Sequence, residues 1–458
     1  MKFEHAKRCP VSGLLNCRDL GGHPIPGGRI RWGQFYRSAA PMLPIDSRVL
    51  EDMGITLVID LRSDFEHHKT LSFPASDTVS VVEMPVLDEV MDAVRDISDM
   101  GELYALILKK STAQLGAVFT RMAENEGAVL FHCTAGKDRT GVVAALLLSL
   151  AGAARIDIVA DYQISRTLIQ PLVDHLKGKA HNLKMNALES KADFMRRMLD
   201  ELEALGGAEA YLRSCGVSDA HISTLKAHLT ECCPVTAKGM RRIALGKMEN
   251  VRDLGGIASG DGFTQWGKFF RCAYPVNGMS EEERQGLLDM GITTVVDLRF
   301  KDEAAQKPNP LLGDPRFTVI QNGPEDYAHV EGGTDYPRIY CDYERLCAPH
   351  YKAVFEIFAH APGGVIFHCA SGKDRTGMVT GLLLSIASVN REDILSDYQV
   401  SSTYLDNPVA HPIPSNPENL ISYLALNDWF GGVETFLVNR CGLSQADYNT
   451  IRDRLLGL

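Results

Sequence analysis

No segment near the amino terminus of this 458-residue chain has the apolar stretch that secretion demands. Met1-Lys2-Phe3-Glu4-His5-Ala6-Lys7-Arg8 is polar. The longest mostly apolar stretch, Val142 to Ala151, is far short of the roughly 20 residues that cross a bilayer. The expectation is a cytoplasmic protein with no signal peptide and no integral membrane segment, although export by a signal-free route stays open. The 11 cysteines are odd in number, and Cys-x-x-Cys spacing is missing. Reduced thiols are therefore expected instead of a disulfide framework, and neither a metal site nor a cofactor is indicated. Cys232 and Cys233 are adjacent, but they fall at a domain boundary and read as bystanders. A basic excess is lacking too: 47 Lys and Arg face 58 Asp and Glu, a net charge of -11 that is not gathered in a tail. That argues against a nucleic-acid partner. No pattern in the chain bears on oligomeric state.

What is present is the composition of a folded globular protein, 45% apolar and 23% charged. The length calls for two or three domains, and an internal repeat decides between them. Asn16-Cys17-Arg18-Asp19-Leu20-Gly21-Gly22 recurs as Asn250-Val251-Arg252-Asp253-Leu254-Gly255-Gly256, and Trp32-Gly33-Gln34-Phe35-Tyr36-Arg37 as Trp266-Gly267-Lys268-Phe269-Phe270-Arg271. Met53-Gly54-Ile55-Thr56 to Leu61-Arg62 matches Met290-Gly291-Ile292-Thr293 to Leu298-Arg299, and Asp161-Tyr162-Gln163 matches Asp397-Tyr398-Gln399. The offset stays between 234 and 237 residues across these pairs, which means duplication of a whole domain; a solenoid repeats every 20 to 50 or so. The boundary is placed near Cys233-Pro234, giving domains at 1–233 and 241–458 with a linker at 234–240.

Each copy alternates short β-branched runs with helical stretches. Leu57-Val58-Ile59-Asp60, Val81-Val82-Glu83-Met84 and Gly127-Ala128-Val129-Leu130-Phe131 read as buried strands. The last leads into His132-Cys133, and Val142 to Ala151 then reads as a helix. The second copy repeats this as Val365-Ile366-Phe367, His368-Cys369 and Met378 to Ala387. The expected fold is α/β: two tandem domains, each a central, mostly parallel sheet flanked by helices.

Between strand and helix lies a loop that occurs twice. One copy is His132-Cys133-Thr134-Ala135-Gly136-Lys137-Asp138-Arg139-Thr140-Gly141; the other is His368-Cys369-Ala370-Ser371-Gly372-Lys373-Asp374-Arg375-Thr376-Gly377. Of all the cysteines, only Cys133 and Cys369 have an arginine six positions on. A strand-to-helix loop aims backbone N–H groups at one point and so cradles an anion, with the helix dipole adding positive potential. The same field favours a thiolate nucleophile. Arg139 or Arg375 supplies a planar fork for two phosphoryl oxygens, and the Thr140 or Thr376 hydroxyl is placed to donate to sulfur. These residues together point to metal-free hydrolysis of phosphate monoesters through a cysteinyl-phosphate. His132 and His368 are expected to fix the loop by hydrogen bonds. Rhodanese and arsenate-reductase chemistry also use a cysteine loop, but the Lys-Asp-Arg-Thr-Gly run into an apolar helix favours phosphate esters.

The fuller pattern resembles the atypical bacterial tyrosine and dual-specificity phosphatases of the PtpB type, within the cysteine phosphatase superfamily. Asn16-x-Arg18-Asp19, Tyr36-Arg37-Ser38, Asp60-Leu61-Arg62, the loop, Ala160-Asp161-Tyr162 and Tyr211-Leu212 to Gly216 carry the resemblance, which returns from Asn250 onward. It implies activity on phosphotyrosine in proteins, with phosphoserine, phosphothreonine or phosphoinositides as further substrates; Lys137 and Asp138 would mark a lipid-capable loop. Asp88 matches the family's position for the acid that protonates the leaving group. Its counterpart is Asp326, beside Glu325, and Asp138 and Asp374 are rival donors. The Asp60–Arg62, Asp297–Arg299, Arg18–Asp19 and Arg252–Asp253 pairs are expected to form buried ion-pair networks under the loop, with Arg37 and Arg271 undecided between support and substrate.

The copies diverge in one region. After Tyr162 the first carries Lys177, Lys179, Lys184, Lys191, Arg196 and Arg197, which suggests a preference for acidic substrates, whereas the second has a proline-rich stretch from Pro408 to Pro417. An alternative to two working sites is one catalytic copy with the other kept as a phosphate-binding regulatory module.

Overall fold

A computed structural model describes residues 5–68, 70–87, 99–177, 189–260, 262–323, 335–346, 348–405 and 414–458. The chain falls into two compact units, Met1–Pro234 and Val235–Leu458. In unit one the central sheet consists of β1 (Arg18–Asp19), β2 (Phe35–Ala39), β3 (Ile55–Asp60), β4 (Ser80–Glu83) and β5 (Ala128–Cys133). Their spatial order is β1-β2-β5-β3-β4, with β1 antiparallel to β2 and every other pairing parallel. Unit two repeats the arrangement with β6 (Arg252–Asp253), β7 (Phe269–Ala273), β8 (Ile292–Asp297), β9 (Thr318–Gln321) and β10 (Gly364–Cys369), in the order β9-β8-β10-β7-β6. The mostly parallel sheet expected from the alternating pattern is what forms.

The strand that ends on the cysteine is central in both sheets, which explains its unbroken apolar run. A strand covered on both faces has no solvent side on which to place polar residues. Alternate side chains of β3 serve two cores: Leu57 and Ile59 pack with Phe131, Val142 and Leu146, while Ile55 and Val58 pack with Tyr36, Leu50 and Leu130 on the opposite face. The helix after the loop, Arg139–Leu150, is buried at every residue from Thr140 to Leu148, and Asp374–Ile386 is buried from Thr376 to Leu384. Helices this apolar all round belong inside a domain. Each therefore holds its N-terminus, and the loop in front of it, in a fixed place. Gly141 permits close packing there: a Cβ would stand 3.2 Å from the Tyr162 ring. None of the described helices is long and apolar enough to cross a membrane.

Candidate active site

Register places the site. Ala39 of β2 lies opposite Cys133, and Asp60 of β3 lies opposite His132, so the loop emerges at the carboxyl edge of the sheet between two neighbouring strand ends. In unit two Ala273 lies opposite Cys369 and Asp297 opposite His368. Both cysteines are free and buried.

The loop is anchored through its own carbonyl groups. Asn16, itself at φ 57°, donates from Nδ2 to Ala135 O (3.1 Å) and Gly136 O (2.9 Å). Arg37 donates from Nη2 to the same Gly136 O (2.8 Å). Carbonyls pulled back in this way leave the loop N–H groups to face the opening above the cysteine. Behind them Asp161 takes Arg18 Nε at 2.8 Å on one oxygen and Arg37 Nη1 at 2.6 Å on the other. Burial opposes the charge on Asp161, but the two arginines hold its carboxyl far below the usual range. Burial and the neighbouring Arg18 push Arg37 down to about 10. Unit two repeats each part: Asn250 on Ser371 O and Gly372 O (both 3.0 Å), Arg271 on Gly372 O (2.7 Å), and Asp397 between Arg252 and Arg271.

Gly136 sits at φ 63°, and a Cβ there would come within 2.2 Å of Ser38 O. Both the conformation and the contact require glycine. Gly136→Ala is therefore expected to lower the activity of unit one by at least about a hundredfold, read in a chain whose unit-two cysteine is changed to serine. Retention of more than a tenth of that activity would contradict the rigid loop drawn here.

Arg139 is held by a residue that motif reading overlooked. Its Nη1 and Nη2 each lie 2.6 Å from a different oxygen of Glu66, and Nη1 also reaches Leu61 O at 3.2 Å. Glu66 accepts from the Ser63 backbone N–H at 3.0 Å and from the Thr134 hydroxyl. Burial works against its charge, yet the fork with Arg139 brings the carboxyl down to about 2. Glu303 holds Arg375 in the same way. A guanidinium has five N–H donors. Three serve these bonds in unit one, leaving Nε–H and one Nη2–H with no partner among the described residues.

The other expected residues fall as follows. Arg62 pairs with its own Asp60 (2.5 Å) and Arg299 with Asp297 (2.6 Å), both fully buried. Arg18 does not pair with Asp19. Asp19 instead accepts the Gly21 and Gly33 N–H groups (2.7 and 2.6 Å) and closes a turn, as Asp253 does with Gly255 and Gly267. Burial lowers His132 to about 4, so its ring is neutral near pH 7, with Nδ1 3.4 Å from Cys133 O. His368 approaches Cys369 O at 3.1 Å. Asp138 accepts from the Tyr104 hydroxyl at 2.6 Å and lies 3.3 Å from the buried Lys137 ammonium. Tyr104 in turn meets Tyr162 (2.6 Å), and Tyr340, Asp374 and Tyr398 repeat the chain. The Thr140 and Thr376 hydroxyls are buried without a hydrogen-bond partner among the described residues, so the expected bond to sulfur is not made. Asp88, Glu325 and Asp326 lie outside the described residues.

The idea of a basic face in unit one loses support. Lys191 pairs with Glu189, Arg196 with Asp193, and Arg197 with Asp99, while Lys179 and Lys184 lie outside the described residues.

A family model described as "Tyrosine phosphatase family" matches residues 9–231 and again 243–457. The chain belongs to the tyrosine phosphatase family, twice over. It is a hydrolase built from two tandem copies of the phosphatase domain. Three relatives each align with about half of it, as a single copy should. A tyrosine-protein phosphatase of Nostoc commune is 35% identical over 218 residues, 40% of this phosphatase and 69% of the relative. A putative tyrosine-protein phosphatase of Cupriavidus necator is 32% identical over 240 residues, 47% of this chain and 85% of its own. The triple specificity protein phosphatase PtpB of Mycobacterium tuberculosis is 26% identical over 274 residues, 48% and 98% respectively.

Proposed function

We propose that both units hydrolyse phosphotyrosine in proteins through a cysteinyl-phosphate, with Cys133 and Cys369 as nucleophiles. The observation that carries this reading is the fork of Arg139 on Glu66, which presents the remaining N–H pair of the guanidinium beside a cysteine at the base of an anchored loop. In the first step the thiolate attacks phosphorus in line. A sulfur–phosphorus bond forms as the bond to the tyrosyl oxygen breaks, and that oxygen takes a proton from a carboxylic acid. Water then attacks phosphorus and passes a proton to the carboxylate left by the first step; as the new phosphorus–oxygen bond forms, the sulfur–phosphorus bond breaks, releasing inorganic phosphate and restoring the thiolate. The loop N–H groups and the arginine stabilise the equatorial oxygens in both steps.

Asp88 and Asp326 are the proposed acids. Asp138 and Asp374 rank behind them, because each already accepts a tyrosine hydroxyl and faces a buried lysine. Phosphoinositides rank behind phosphotyrosine for a related reason. The Lys137 ammonium is buried and bonded to Glu189 O at 2.8 Å, which ties up the cation a headgroup would seek. The equivalent forks in the two units favour two catalytic copies over one catalytic and one regulatory copy.

Acid quenching during turnover should leave a phosphorylated cysteine on the peptides that contain Cys133 and Cys369, identified by mass. Phosphate found on another residue, or on none under burst conditions, would refute the covalent route.

A further inference from the structure

We propose that Phe300 determines the substrate preference of unit two, as an aromatic wall on which the phenyl ring of phosphotyrosine packs. The inference rests on the reading of the Cys369–Arg375 loop as catalytic. Phe300 stands directly before the helix Lys301–Gln306, and its ring centre lies 4.3 Å from the guanidinium carbon of Arg375. That guanidinium is held by Glu303 at 2.5 Å and is 13% exposed. A ring stacked on one face of the phosphate-binding guanidinium borders the space just beyond the phosphoryl group, which the leaving group has to occupy. Phe300 is only partly buried, which leaves part of the residue open to solvent.

Unit one is built differently at this point. Ser63 occupies the equivalent position, and its hydroxyl donates to Glu66 at 3.0 Å. Thr134, whose hydroxyl also bonds Glu66, stands where unit two has Ala370. Phe65 comes two positions later, in the place of Asp302, and is 64% exposed. Unit two has a second aromatic residue beside its loop. Tyr274, which replaces Ala40, donates its N–H to Ala370 O (3.0 Å) and lays its ring 3.8 Å from the guanidinium carbon of Arg299. The arginine surroundings are thus polar in one copy and aromatic in the other.

The backbone is the same in both. Ser63 N–H reaches Glu66 at 3.0 Å, and Phe300 N–H reaches Glu303 at 2.8 Å. Exchanging the two side chains therefore keeps the backbone bond at the helix start, while Ser63→Phe gives up only the hydroxyl bond to Glu66. An aromatic pair gains enough over an aliphatic contact for a preference of about three- to tenfold. Unit two should favour aryl phosphates by that factor, and unit one should lack the bias.

The test uses the full chain with one nucleophile silenced and a single peptide in phosphotyrosine and phosphoserine forms. With Cys133→Ser, Phe300→Leu should lower the phosphotyrosine-to-phosphoserine ratio of kcat/KM by about three- to tenfold. Leucine keeps the apolar packing of Phe300 against the core. With Cys369→Ser, Ser63→Phe should raise the ratio of unit one by a similar factor. A ratio unmoved by Phe300→Leu overturns the proposal and leaves catalysis by unit two standing. Should that variant fail to fold, a ratio unmoved by Ser63→Phe overturns it instead. No turnover by the Cys133→Ser chain would overturn the catalytic reading of unit two, and the proposal with it.

Discussion

Combining Cys133→Ser with Cys369→Ser is expected to lower turnover of a phosphotyrosine peptide by a factor on the order of 10,000 or more, as loss of a covalent nucleophile does elsewhere. Serine nearly matches cysteine in size, so the buried position is kept. Its hydroxyl, however, gives up a proton far less readily than a thiol, and the loop field that supports a thiolate cannot make up the difference. The carbonyl anchors from Asn16 and Arg37, and the fork on Glu66, do not involve sulfur. The double variant should therefore still bind vanadate or phosphate while failing to turn over. Each single variant should lose the share of one unit, which measures how activity divides between the copies. Substantial turnover by the double variant would remove the nucleophile assignment altogether.

Asp161→Asn should destabilise unit one by about 3–5 kcal/mol, the usual result of deleting one member of a buried ionic cluster. Arg18 and Arg37 both lean on this carboxylate, and both are fully buried. With a neutral amide in its place, two guanidinium groups would face each other out of water. For a domain of this size the midpoint of thermal unfolding should fall by about 10 °C, and Asp397→Asn should do the same to unit two. A calorimetric shift under 2 °C or so would show that the cluster matters little. The pH dependence has a definite sign. Asp161 titrates far below its value of about 3.9 in an unfolded chain, so its contribution is complete above that pH and is lost as the pH falls below it. The asparagine variant should lack that part of the acid-side loss.

The loop is legible in the sequence because its chemistry and the repeat coincide. Cys133 and Arg139 are six residues apart in one loop, and an offset shared across the whole chain picks out their equivalents. The strands ending at Asp60 and Cys133 were legible because buried parallel strands are apolar without interruption. Glu66 and Tyr104 were missed, although Glu303 and Tyr340 repeat them at the same offsets as their neighbours. Neither lies in the loop, and only the folded chain carries them to Arg139 and Asp138. The Arg18–Asp19 partnership failed for the opposite reason. Successive residues of a strand point to opposite faces, so neighbours in sequence cannot share a pocket, and Arg18 finds Asp161 instead.

The distances along the chain within the loop anchor carry a consequence for how the enzyme comes into being. Arg18 and Asp161 are 143 residues apart, and Asn16 and Gly136 are 120 apart. Contacts of such span are costly to close and form late, after local helices and neighbouring strands. A newly made unit should thus become compact before its phosphate cradle is set, and catalytic competence would mark the last stage of its folding.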